Sequence, residues 1–61
     1  MVRDGLYGVR SKKCVVLILD YETDNIFCQD VANANNRFWV DIQELTEEPL
    51  TPLEVLAWAA M

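Results

Sequence analysis

Six consecutive apolar residues, Cys14-Val15-Val16-Leu17-Ile18-Leu19, constrain this 61-residue chain more than any other feature. The run is rich in β-branched side chains and too short for an ordinary helix, so it predicts a strand. Successive strand side chains point to opposite faces, which makes this strand apolar on both. Such a strand belongs in the centre of a sheet covered on both sides. A chain this short has one helix to offer as cover, so a second molecule is expected on the other side.

The remaining elements follow from turn chemistry and periodicity. Leu6 to Arg10 predicts a short strand opened by the turn signal Asp4-Gly5, and Ser11-Lys12-Lys13 turns the chain. Asp20 to Asn25 predicts a turn, Ile26 to Ala32 a strand, and Asn33-Ala34-Asn35-Asn36 another turn, because Asn tolerates the left-handed conformation. Arg37 to Leu45 alternates well: Phe38, Val40 and Ile42 point one way, Trp39, Asp41 and Gln43 the other. Near the C-terminus, Thr51 as N-cap, Pro52 at N1 and Glu54 at N3 predict a capped helix running to Met61, with Leu50 and Val55 as a hydrophobic staple. The expected fold is α+β: one domain over residues 1–61, a three- or four-stranded antiparallel meander with one C-terminal helix packed on it.

The helix is apolar on every side. Leu53, Leu56, Ala57 and Ala60 form one stripe at 100° per residue, expected against the sheet. Val55, Trp58 and Ala59 form the opposite side, expected to meet a partner, with Trp39 as a further interface anchor.

A domain of this length buries only about 60% of its unfolded surface, and domains below roughly 70–80 residues usually need a disulfide, a metal or an oligomer. Cys14 and Cys28 lie in apolar stretches and read as free core thiols. The N-terminal residues lack the apolar core of a signal peptide, so the chain is expected to be cytoplasmic, in a bacterial cell or an infected host cell. Without histidine or a C-x-x-C pair, no metal or other cofactor is expected. Hydrophobic residues make up 52% of the chain, yet no apolar run approaches the ~18 residues of a membrane span. Self-association, as a homodimer or larger oligomer, is the remaining way to bury the excess.

The net charge of −5 hides an asymmetry. Residues 1–13 carry Arg3, Arg10, Lys12 and Lys13 against Asp4, a balance of +3, and the rest carry Arg37 against nine carboxylates, a balance of −8. The larger part repels nucleic acid phosphates, while the basic segment suits them or an acidic surface, including that of a sister chain. The plain alternative is a solvated charged surface that keeps a hydrophobic protein soluble.

Chemistry-bearing patterns are sparse. Asp20-x-Glu22-x-Asp24 resembles half of a calcium loop, but Asn25 stands at the glycine position and Val31 at that of the bidentate glutamate. Neither thiol has a histidine to activate it, and apolar surroundings raise a thiol's pKa. Gly5 and Gly8 form no phosphate loop. No enzymatic activity is expected.

The function expected first is that of a small acidic inhibitor or modulator, of the kind phages and mobile elements encode. It would bind a larger host protein, one that handles nucleic acid, through Asp20, Glu22, Asp24, Asp30, Asp41 and Glu44. A second reading is a nucleic-acid-binding module using Arg3, Arg10, Lys12 and Lys13 with Tyr7 and Trp39 as stacking platforms. A third is an oligomer that holds a small metabolite or nucleotide between subunits.

Overall fold

The computed structural model describes residues 4–60. Four antiparallel strands, β1 (Leu6–Val9), β2 (Cys14–Glu22), β3 (Asn25–Asp30) and β4 (Arg37–Asp41), form a meander in sequence order. One helix, α1 (Pro52–Ala59), follows. The architecture is the expected α+β meander with a C-terminal helix.

Cross-strand register sorts the side chains into two faces. Tyr7 opposite Val16, Ile18 opposite Cys28 opposite Phe38, and Ile26 opposite Val40 share one face with Val9 and Cys14. Val9, Val16, Ile26 and Cys28 are fully buried there, and Tyr7, Val40 and Leu45 nearly so. The other face carries Gly8 opposite Val15, Leu17 opposite Gln29, and Phe27 opposite Trp39.

The helix does not cover the first of these faces. The sheet closes over it by curling. β4 ends at Asp41, yet Leu45 already bridges Val9 on the free edge of β1. A flat sheet would put β1 about 14 Å from β4, three strand spacings away. The intervening Ile42–Glu44 is a 3-10 turn, which advances only about 2 Å per residue. The two edges must therefore lie close together. Residues 44–50 then run along β1: Arg10 N–H donates to Glu44 O (2.8 Å), Thr46 N–H to Gly8 O (3.0 Å) and Leu50 N–H to Leu6 O (2.7 Å). These bonds satisfy an edge that would otherwise be open, and Leu45 plugs the inner face. Lys12 of the β1–β2 hairpin places its ammonium 5.0 Å from the Phe38 ring centroid, reaching across the curl from β1 to β4.

Three expectations about the strands are corrected. Asp20, Tyr21 and Glu22 are not a turn; they extend β2 past a bulge at Leu19, and the turn shrinks to Thr23-Asp24 between the paired Glu22 and Asn25. The strand expected to run to Leu45 stops at Asp41, whose carboxylate accepts from Gln43 N–H (2.9 Å) and caps the 3-10 turn, with Glu44 reaching back to Asp41 N–H. The strand expected over Ile26 to Ala32 ends at Asp30, whose carboxylate turns the chain by accepting from Ala32 N–H (2.9 Å).

The helix start is as the sequence spells it. Thr51 Oγ1 accepts from Glu54 N–H (3.3 Å), Glu54 returns the bond to Thr51 N–H (2.9 Å), and Pro52 opens the first turn. Its orientation is the reverse of that expected. Val55 and Trp58 turn toward the sheet, and Leu53, Leu56, Ala57 and Ala60 face outward. Gly8 decides this. The Trp58 ring occupies the space a Gly8 side chain would need: a Cβ placed there would lie 2.5 Å from the ring. A strand glycine marks such close approach, and the large indole buries more apolar area in that notch than a leucine would. The central strand is thus covered on both sides by its own chain at its start, by the curl at Val16 and by Trp58 at Val15.

Candidate functional site

Cover on the outer face ends where the helix ends. Beyond Val15, the outward side chains of β2 to β4 are bare, and the backs of the helical leucines add to them. Leu17 and Trp39 are 41% and 49% exposed there, Leu19 at the bulge is 42% exposed, and Leu53 and Leu56 are 79% and 67% exposed. Phe27 packs against Trp39, ring centroids 5.1 Å apart and planes tilted by 35°, which holds the indole in place on the sheet. Carboxylates ring one end of this patch. Asp20 pairs across from Phe27, Glu22 and Asp41 flank Asn25 from either side, and Asp24 sits in the hairpin tip. Glu22, Asn25 and Trp39 line an open depression of about 290 Å³.

The bulge at Leu19 matters to this arrangement. It shifts the register so that Asp20, rather than an apolar residue, stands across from Phe27. An insertion of one residue reverses the alternation beyond it, and that is how a strand beginning as an apolar run ends with acids on the outer side.

The expected site residues fall into four groups. Trp39 lies exposed on the outer face, and Asp20, Glu22 and Asp24 cluster at one hairpin. Asp30, Asp41 and Glu44 are engaged as turn and cap acceptors, so part of their role is structural. Val55 and Trp58 pack on the sheet instead of facing outward, while Ala59 is exposed. Arg10, Lys12 and Lys13 gather in the β1–β2 hairpin, with Arg10 Nη1 bonded to Gln43 O (3.1 Å); Arg3 lies outside the described residues. Tyr7, expected beside these cations as a stacking platform, is buried on the inner face and has no base-sized surface to offer. An uncovered face on the central strand was expected, and Leu17 stands on it; the residues that sequence reasoning missed are Leu53 and Leu56, which were expected against the sheet. The signal was present in Gly8, whose place in a strand marks it as the seat for a large helical side chain.

The two hairpin tips sit at opposite ends of β2. Its nine residues span about 26 Å at 3.3 Å each, against a longest molecular dimension of 31 Å. Arg10, Lys12 and Lys13 therefore form a positive pole, and Asp20, Glu22 and Asp24 a negative one.

Both cysteines are free thiols on the inner face. Burial pushes the Cys28 thiol up to about 11, helped by the nearby Cys14 and Asp30, and Cys28 Sγ donates to Phe38 O at 3.4 Å. Burial likewise raises Cys14. Thiols so shifted are protonated at neutral pH and suit a core role. Among the described residues, no three carboxylate or thiol side chains are placed to hold one metal ion, and no helix is long and apolar enough to cross a membrane. No protein-family model, curated protein or solved structure matches this chain.

Proposed function

We propose that this chain is a non-catalytic protein-interaction module that works through the outer side of its sheet and helix. The observation that carries this reading is the joint exposure of Leu17, Trp39, Leu53 and Leu56 on the outer side of the sheet and helix, opposite the face that holds the buried core. Contiguous apolar surface rimmed by polar groups is the usual mark of an interaction site. An aromatic held in place by a neighbouring ring is a suitable anchor, because little side-chain freedom is lost on binding. The acids at one end fit a partner surface that is apolar at its centre and cationic at its edge. Carboxylates outside the patch, Asp30, Glu44 and Glu47 among them, suit the assembled module to a larger, cation-rich protein such as one that handles nucleic acid, which it covers and modulates.

Site-directed photo-crosslinking in the expressing cell tests this. A photoreactive phenylalanine in place of Trp39 is expected to give discrete protein adducts, and the same probe at Asn35, exposed in the β3–β4 loop, is expected to give none. Equal labelling from both positions, or none from position 39 in a folded protein, overturns the reading.

A further inference from the structure

We infer that the partner on the outer face is a second copy of this chain, paired about a two-fold axis that lies just above that face, parallel to the sheet and across β2. This rests on the outer face being the interaction surface, and it names the occupant.

The outer face is a step. At the start of β2 the helix stands on Gly8 and Val15 as a ridge, and its apolar stripe of Leu53, Leu56, Ala57 and Ala60 points away from the sheet. Further along β2 the same face is a trough, floored by Leu17, Phe27 and Trp39. Ridge and trough are therefore displaced from each other along β2. Turning one copy over about the cross-strand axis sets its ridge above the trough of the other, and the reverse contact forms at the same time. Each interface of this isologous kind uses the same patch twice. Alanines in the stripe let the helix approach the partner sheet closely.

Charge selects the same operator. The positive hairpin, Arg10 to Lys13, adjoins the ridge end of β2, and the negative hairpin, Asp20 to Asp24, adjoins the trough end. The flip that seats ridge in trough also lays each positive hairpin over the partner's negative one. A two-fold axis running along β2 would instead set like charges together, which opposes pairing. Shape and charge are independent features of the chain, and they agree on one arrangement.

The size is adequate. Leu17, Phe27, Trp39, Leu53, Leu56 and the stripe alanines offer on the order of 500 Å² per copy, so a pair buries about 1,000 Å², where specific interfaces begin. A pairing of this size is expected to be reversible and concentration-dependent.

Sedimentation equilibrium on the full chain is expected to show a monomer–dimer equilibrium whose dissociation constant rises with salt. Leu56→Lys, at a solvent-exposed position, should leave the circular dichroism spectrum unchanged and weaken the dimer at least tenfold. Two charge-reversed proteins carry the sharper test. Lys12→Glu with Lys13→Glu gives a chain with two negative hairpins, and Asp20→Lys with Asp24→Lys gives one with two positive hairpins. Each alone should pair at least tenfold more weakly than the parent, and mixing them should produce heterodimers by native mass spectrometry. A parent that stays monomeric, a dimer indifferent to Leu56→Lys, or a mixture that pairs no better than its components overturns the proposal. A monomer that still gives adducts to another protein from position 39 removes self-pairing and keeps the interaction reading. A monomer without such adducts removes both.

Discussion

On β3, Ile26 and Cys28 point into the curl and are fully buried, whereas Phe27 between them points outward and leans on a half-exposed Trp39. The same strand thus builds a closed face and an open one. The closed face is lined by Val, Ile, Cys and Tyr side chains, and no buried side-chain polar atom among the described residues lacks a hydrogen bond. The open face mixes a glycine notch, large apolar side chains and carboxylates. Stability concentrates where water is excluded on every side, and that leaves the open face free to carry residues a core would reject.

The largest expected effect breaks the comparison at its strongest point. Ile26→Ala should cost about 2–5 kcal/mol, the range for a buried aliphatic truncation. A domain this small holds only several kcal/mol in total, so much of the population should unfold. Trp39→Ala, on the other side of the same sheet, should cost less than about 1 kcal/mol. Urea denaturation measures both, and equal costs would mean that the two faces are not distinguished by burial.

Gly8→Ala probes the place where the helix closes the outer face. The added Cβ meets the Trp58 ring at 2.5 Å, so the indole must leave its notch, at a cost of about 1–3 kcal/mol. Trp58 fluorescence should shift to the red as the ring meets water. Unchanged emission would place the helix elsewhere.

The inner face also predicts an alkaline limit. The Cys28 thiol sits at about 11 in the folded chain, above its ordinary 9.0. A group raised on folding contributes stability that is complete below its unfolded value and lost as pH climbs through the folded one. Stability should therefore fall between about pH 9 and pH 11. Cys28→Ala lacks this contribution, so the gap between it and the parent should narrow with rising pH in parallel urea titrations. A gap that stays constant would show that Cys28 is not held in a dry site.

The smallest effect lies at the hairpin tip that both faces share. Thr23 has φ of +53°, a left-handed conformation that β-branched residues adopt at a cost. Thr23→Asn should raise stability by about 0.5–1 kcal/mol, measured as a higher urea midpoint. A lower midpoint would mean that Thr23 makes a contact worth more than its strain.

Most of the local structure was legible in the chain. Thr51, Pro52 and Glu54 spell the helix start because a capping box is completed within four residues and needs nothing from elsewhere. The alternation of Phe38, Trp39 and Val40 assigned each to the right face, since a strand's period is fixed by its backbone. Of the candidate site, the chain revealed Trp39, the acidic hairpin and a bare face on the central strand, but not the exposed helical leucines Leu53 and Leu56.

What the tertiary structure decided lies beyond any local window. Periodicity separated the two apolar stripes of the helix but held no preference between them; the notch at Gly8, more than forty residues away in sequence, chose Val55 and Trp58 for the inside. The bulge at Leu19 carried β2 through residues whose polarity reads as a turn, because pairing with β3 satisfies their backbone groups. Asp41 ended β4 early by capping a 3-10 turn, and that turn brought Leu45 to the free edge of β1. Sequence alone dictated that the central strand be covered on both faces. Only the curl showed that the chain covers the inner one by itself and leaves the outer one partly open, since closing a sheet on itself depends on where its edges meet.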